Sequence, residues 1–214
     1  MRVDANMTSR MTVVDGFLCP SRTMKYAGLS YPANRGFSKR DGMDNGPFRS
    51  AASATVRYSD IRDGTHSTVG FSEWVKGPCE SGPSPEMLTS RSRLGTVYLT
   101  EPALTTKEKL NEFLIACRKI DYRTAEISVN DKGVEWLRPG LASSLYNHNL
   151  SIDHSSCVSS GAVQSGSYSA GSEHGSGAHT LFLDGHVRWM KSSTDIEVWR
   201  ALGTINHGEV VSPD

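Results

Sequence analysis

The stretch Thr180-Leu-Phe-Leu-Asp-Gly-His-Val-Arg-Trp189 decides the fold class of this chain. Two short runs rich in apolar residues flank Asp184-Gly185, a pair that favours a two-residue type I′ turn between antiparallel strands. The resulting register predicts a core-facing set of side chains: Thr180, Phe182, Val187 and Trp189. The opposite face would carry Leu181, Leu183, His186 and Arg188. We therefore expect a β-hairpin, with Trp189 as its anchor in the core of a sheet-rich domain.

Two helices are predicted, one before this hairpin and one after it. The first spans residues 105–120, where Thr105 and Glu108 have the spacing of a capping box. Its apolar stripe has helical spacing and is made of Leu110, Phe113, Leu114 and Cys117. The second begins with the capping-box pair Thr194 and Glu197 and ends at Gly203. We expect the stripe to pack in the core and the fold class to be α+β.

The length and composition favour one loop-rich globular domain. The chain has 214 residues, and we place the domain at residues 13–214, after a loose polar segment at residues 1–12. Charged residues make up only 21%, and Gly and Ser are abundant, which is typical of a β-containing protein with many turns. Residues 155–179 are dominated by Ser and Gly, so a long flexible loop is expected there.

The charge pattern argues against several kinds of partner. Lys+Arg and Asp+Glu both number 23, so the formal net charge is zero and no long-range field attracts nucleic acid or an anionic membrane. No run approaches the roughly 18 apolar residues of a membrane span. Residues 1–20 have no apolar segment of the signal-peptide type. The printed sequence therefore predicts no membrane span and shows no export signal.

Four cysteines are widely spaced: Cys19, Cys79, Cys117 and Cys157. None belongs to a Cys-x-x-Cys pair, which argues against zinc-ribbon and thioredoxin-like sites. Their even number is compatible with two disulfides in an oxidising compartment and equally with four buried thiols. Three pairings are conceivable, and the spacing does not choose among them.

Several segments, in order along the chain, carry a resemblance to a bacterial family. His174, nine intervening residues and Asp184-Gly185 match its C-terminal motif. Similar segments lie throughout residues 13–212: Phe17-Leu-Cys-Pro-Ser21, Tyr31-Pro-Ala-Asn-Arg-Gly36, Ile61-Arg-Asp-Gly-Thr65, Phe71-Ser-Glu73 and Trp199-Arg-Ala-Leu-Gly-Thr204. The chain thus resembles the prepilin-like proteins with a domain of unknown function that are typical of planctomycetes.

The resemblance implies a pilin-like or pseudopilin-like globular head of the type II secretion kind. Members of that family usually begin with a long hydrophobic helix that anchors the precursor, packs subunits together and covers one face of the sheet. No such helix is present in the printed sequence. Either the start is misassigned or the chain is a truncated paralogue or gene fragment, and we expect an apolar sheet face left bare. The implied partners are other pilin-like subunits or a secretion apparatus, and the implied location is the periplasm or the cell surface.

The motifs supply the candidate site residues, which are His174, Asp184, Gly185, Asp63, Gly64, Thr65 and Glu73. A turn followed by a strand accounts for Asp63-Gly64-Thr65 and Glu73, and the hairpin turn accounts for Asp184. Imidazole and carboxylate groups are also metal ligands, which makes a candidate metal site of His174, His179, Asp184 and His186. We favour a structural role for His174 in organising the Ser/Gly segment through hydrogen bonds to the backbone, and we expect no cofactor.

No catalytic signature accompanies these motifs. The chain has no Gly-x-Ser-x-Gly nucleophile elbow and no Gly-rich phosphate loop followed by Lys-Ser/Thr. We therefore expect a non-enzymatic structural or assembly domain, and no catalytic residues. The alternative is an extracytoplasmic module that binds a solute, a glycan or a protein partner, which predicts a concave pocket with convergent polar groups.

Overall fold

The computed structural model describes residues 7–21, 26–37, 45–49, 55–78, 92–102, 109–129, 131–159 and 165–206. In chain order their regular elements are α1 (Met7–Arg10), β1 (Ala33–Asn34), β2 (Val69–Ser72), β3 (Val97–Leu99), α2 (Leu110–Arg118), β4 (Ile127–Val129), β5 (Leu145–Tyr146), β6 (Ser156–Val158), β7 (Gly177–Phe182), β8 (Val187–Lys191) and α3 (Ile196–Leu202). Short 3-10 turns lie at Asp15–Phe17, Tyr58–Asp60 and Ser92–Gly95.

The strands form two sheets. The larger has the order β5-β1-β2-β7-β8, in which β1 pairs with β5 in parallel and every other pair is antiparallel. The smaller has the order β4-β3-β6, with β3 antiparallel to β4 and parallel to β6. The main core draws side chains from both sheets and from α3, including Val69, Val158 and Trp199. The predicted α+β class is confirmed.

The hairpin exists, but its predicted register is wrong by one residue. Leu181 pairs with Val187 instead of Arg188, because the loop has three residues. The amide of Gly185 donates to the carbonyl of Phe182 (3.0 Å), and within the turn only Gly185 has a positive φ, of 97°. This is a type I turn closed by a glycine bulge rather than a type I′ turn.

The one-residue shift exchanges the two faces of β8. Met190 is buried in the core, whereas Val187 is 59% exposed and Trp189 is 38% exposed. Thr180 and Phe182 face the core as predicted, since the shift affects only the partner strand. Trp189 is therefore not the core anchor that the sequence suggests, and that position belongs to Trp199 in α3.

The helix α2 begins at Leu110, and the predicted capping pair Thr105 and Glu108 lies outside the described residues. Its four stripe residues are all buried, as predicted, and form a second core cluster with Leu150 and Cys157. Cys117 on this stripe forms a disulfide with Cys157 in β6. Cys19 is a free, buried cysteine, and Cys79 lies outside the described residues.

The Ser/Gly segment is more ordered than predicted where the structure describes it. It contains β6, and a bridge joins Cys157 to Ser167 through two backbone hydrogen bonds of 2.8 and 2.9 Å. Ser156, Ser167 and Ser169 are buried, and their small side chains allow the segment to pass close to the neighbouring backbone. The expectation of a long flexible loop is therefore corrected for residues 155–159 and 165–179.

The last helix, α3, is capped by a residue other than the predicted one. The Asp195 carboxylate accepts hydrogen bonds from the amides of Glu197 (2.8 Å) and Val198 (3.3 Å), so Asp195 and not Thr194 is the N-cap. The helix stops at Gly203, as predicted, although the φ of that residue is −81° and a left-handed cap is not formed.

Candidate functional site

A row of apolar side chains crosses the larger sheet from one edge to the other. Leu145, Ala33, Phe71, Leu181 and Val187 come one from each of the five strands, in the spatial order of the sheet. Each is the register partner of the next. Since neighbours along a strand alternate between faces, Leu181 lies opposite the core face that carries Thr180 and Phe182. Ala33 and Leu145 are buried and also belong to the main core cluster, so the accessible part of the row is Phe71, Leu181 and Val187. The row is the floor of an open groove of about 580 Å³.

An aromatic wall bounds one side of this groove. Phe17 and Trp136 meet edge to face, with ring centroids 5.3 Å apart. The indole N–H of Trp136 donates to the carbonyl of Thr12 (3.1 Å), which ties the wall to the N-terminal segment. An ion pair between Arg10 at the end of α1 and Glu135 fastens the same two segments. The wall is thus held by contacts between parts of the chain far apart in sequence.

Polar groups converge at one end of the groove, next to the last residue of β2. Ser72, Glu73 and His179 line it there. An oxygen of the buried Glu73 carboxylate, Oε2, accepts a hydrogen bond from the backbone amide of His179 (3.0 Å) and lies 3.2 Å from its Nδ1. The imidazole of His179 in turn touches the ring of Trp189 edge-on, at 4.7 Å between centroids. The groove therefore combines an apolar floor with an anchored carboxylate at one end.

Behind Glu73 lies a cluster of three different ligand-type groups. The thiol of Cys19, the carboxylate of Glu73 and the imidazole of His174 place one atom each within 4.8 Å of one another. The Cys19 Sγ lies 3.3 Å from the His174 Nε2. Cys19 and Glu73 are buried, whereas His174 is exposed. Burial raises the pKa of the adjacent Tyr31, and the nearby charges of Cys19 and Glu73 raise it further.

The four residues of the predicted metal site do not form one ligand set in the described part of the chain. His174 contacts Cys19, and His179 contacts Glu73. Asp184 and His186 pair with each other on the hairpin turn, with 2.6 Å between Oδ1 and Nδ1. The His186 amide also donates to Asp184, and that hydrogen bond is the main cause that lowers the pKa of this carboxyl.

The two Asp-Gly motifs pack against each other. The Asp184 amide donates to the Thr65 carbonyl (3.2 Å), and the hydroxyl of Thr204 lies 3.4 Å from the Asp63 carboxylate. Gly64 has a φ of 89°, which glycine adopts without strain, and its carbonyl accepts from the Thr68 hydroxyl (2.9 Å). These contacts join the first motif to the hairpin and to the residues after α3.

The sequence offered Cys19 only as a disulfide half or a buried thiol, and the predicted role of His174 did not include a thiol partner. The two residues are 155 positions apart, so no local pattern connects them. The available signal was indirect: Cys19, Glu73 and His174 each lie in one of the segments that carry the family resemblance.

Comparison with known proteins places the chain in a family. A model of a protein family of unknown function, DUF1559, matches residues 2–197. The chain belongs to the DUF1559 family. No curated protein and no solved structure matches this DUF1559 chain. Within the described residues, none of its helices has the length and apolar character that crossing a membrane requires.

Proposed function

We propose that this DUF1559 chain is a non-enzymatic, pilin-like assembly domain and that its groove receives an apolar helix of a pilin-like subunit. The observation that carries the proposal is the continuous apolar row on the open face of the larger sheet. Five strands at about 4.8 Å spacing extend roughly 19 Å, and a helix with its side chains is about 10 Å across. A groove of about 580 Å³ on that floor accommodates one face of such a helix.

The position of the groove favours a helix over other occupants. The floor lies on the face of a sheet whose central strands already pair on both sides, so an extended peptide finds no free backbone partners there. An occupant of an apolar floor has to satisfy its own N–H and C=O groups, and a helix does so internally. The exposed Val187 and half-buried Phe71 and Leu181 then contribute only apolar contacts.

The cysteines support an extracytoplasmic location for this domain. Cys117 and Cys157 are both fully buried and joined by a disulfide that connects α2 to β6. Structural disulfides of this kind form and persist in oxidising compartments. The proposed location is therefore the periplasm or the cell surface, where a secretion apparatus of the pilin type assembles.

Site-specific photo-crosslinking in the source bacterium tests the proposal. The full chain carries p-benzoylphenylalanine at Leu181 or Val187 in the groove, and at Tyr58 as a matched exposed control, since Tyr58 is 77% exposed and does not line the groove. We expect both groove positions, but not Tyr58, to crosslink to a peptide from the apolar helix of a pilin-like subunit. Equal labelling at Tyr58, or crosslinks only to proteins without such a helix, would contradict the proposal.

A second candidate function is the binding of a small amphipathic solute. The groove volume falls within the range of about 300–1,000 Å³ typical of ligand pockets, and Glu73, His179 and Ser72 offer convergent polar groups at one end. Such a solute would place its apolar part on the sheet row and its polar part against Glu73. In the same crosslinking experiment it would add a small mass at Val187 instead of a peptide.

A further inference from the structure

Three chemically different side chains meet behind the polar end of the groove. Cys19 follows the 3-10 turn Asp15–Phe17, Glu73 directly follows β2, and His174 precedes β7. A thiol, a carboxylate and an imidazole within 4.8 Å of one another are the three side-chain ligand types that zinc accepts. Among the residues that the structure describes, no other group of three His, Cys, Asp or Glu side chains meets this spacing.

We propose that Cys19, Glu73 and His174 bind one Zn²⁺ ion. With zinc bonds of about 2.0–2.3 Å, tetrahedral geometry sets ligand atoms roughly 3.3–3.6 Å apart. The 3.3 Å between the Cys19 Sγ and the His174 Nε2 already matches that distance. The carboxylate oxygen lies within 4.8 Å of both and has to move closer to them to complete the ligand set. The thiolate ligand favours zinc over calcium or magnesium.

The two buried ligands are held in place by hydrogen bonds to neighbouring segments of the chain. The Cys19 amide donates to the Ser30 hydroxyl (3.0 Å), and the Ser30 carbonyl accepts from the Trp74 amide (3.0 Å), so the cysteine loop is fixed beside Glu73. The Glu73 Oε2 is oriented by the His179 amide (3.0 Å). Hydrogen bonds of this kind orient metal ligands and raise the affinity for the metal.

The exposure of the ligands indicates an open site. Cys19 and Glu73 are each 6% exposed, and the third ligand, His174, lies at the surface and provides the entry path. Three protein ligands leave the fourth position of a tetrahedral zinc ion to water or to an external donor. Because the thiol loses its proton on binding, the affinity rises with pH. This inference does not depend on what occupies the groove.

Cobalt substitution provides the test, because tetrahedral Co²⁺ reports its ligands in the absorption spectrum. The full chain is purified without reductant, so that Cys117 and Cys157 stay bonded, and is titrated with Co²⁺ and then with Zn²⁺. We expect one equivalent of Co²⁺ to produce a thiolate-to-cobalt charge-transfer band together with tetrahedral d–d bands, and Zn²⁺ to displace it. Bound zinc should also raise the melting temperature, because it binds only the folded chain.

Variants assign the ligands. Cys19→Ser should abolish the charge-transfer band, and His174→Ala should weaken Zn²⁺ binding by more than about tenfold, the loss seen even for outer-shell partners. His174 is exposed, so this variant should fold normally. The matched controls Cys79→Ser and His186→Ala should leave both the charge-transfer band and the affinity for Zn²⁺ unchanged. Absence of a charge-transfer band in the wild-type chain, or its persistence in Cys19→Ser, would overturn the assignment.

Discussion

His148 is a buried base that its surroundings keep neutral. Its Nδ1–H donates to the Trp199 carbonyl (2.6 Å), and its Nε2 accepts from the Tyr146 hydroxyl (2.9 Å). The imidazole also stacks on the Trp199 ring, with 3.8 Å between centroids. Both ring nitrogens are thus satisfied in the uncharged form, and burial lowers the pKa of His148 to about 3. The histidine therefore couples folding to pH.

The coupling predicts that the chain loses stability in mild acid. In the unfolded state His148 takes up a proton below about pH 6.5, whereas the folded state resists protonation until about pH 3. The unfolded state therefore binds more protons across this window, and the free energy of unfolding falls as the pH falls. We expect a loss of about 2 kcal/mol between pH 7 and pH 5 from this residue, measured as the urea midpoint at each pH.

The variant His148→Gln isolates this contribution, because glutamine does not titrate. The free energy of unfolding of each protein is compared with its own value at pH 7. Between pH 7 and pH 5 it should fall less for the variant than for the wild type. His154 is a suitable comparison, because burial also lowers its pKa and its Nδ1 lies 3.2 Å from the Ser155 carbonyl oxygen. The His154→Gln variant should still lose the part of its free energy of unfolding that His148 causes. If the free energy of unfolding falls with pH equally in the wild type and in His148→Gln, the explanation is refuted.

At the scale of elements, the sequence predicted which segments pair but not how they align. The alternating runs on either side of Asp184-Gly185 were sufficient to place β7 and β8 next to each other. An Asp-Gly pair suits both a type I′ turn and a type I turn with a glycine bulge, and these differ by one residue in register. Contacts of the turn decide between them, among them the hydrogen bond from Asp184 to Thr65, more than 100 residues away along the chain. Local pattern alone does not contain that information.

The observed register makes a prediction about two residues of the same strand. Met190→Ala should destabilise the chain by about 2–5 kcal/mol, since Met190 is 4% exposed and its loss opens a cavity in the core. Val187→Ala should change stability by less than about 0.5 kcal/mol in the isolated chain, because Val187 is 59% exposed. Urea denaturation of both variants compares them directly. With the alternative two-residue turn, Val187 would face the core and Met190 would not, so Val187→Ala would destabilise the chain more than Met190→Ala.

At the scale of the whole molecule, the candidate site is a product of chain topology. Cys19 and His174 meet because the loop after the first 3-10 turn crosses the end of β2, where the chain enters β7. His174 and Glu73 are both recognisable in the sequence by their motifs, but their residue types group His174 with its sequence neighbours His179, Asp184 and His186 and not with Cys19. Convergence of distant segments is a property of the folded backbone, which residue type and spacing do not specify. A bare apolar face was expected from the family resemblance, and a concave pocket with convergent polar groups was expected from the alternative of a binding module.

The disulfide also joins distant parts of the chain, because it links the helix α2 to the smaller sheet across 40 residues. Closing a loop of that length lowers the entropy of the unfolded chain and is worth about 4 kcal/mol in the chain-entropy model. Replacing both Cys117 and Cys157 by Ser should therefore lower the free energy of unfolding by about 2–4 kcal/mol, measured by urea denaturation. The wild type with its disulfide reduced should unfold at nearly the same urea concentration as the double variant. A double variant as stable as the oxidised wild type would show that the bond contributes nothing to the free energy of unfolding.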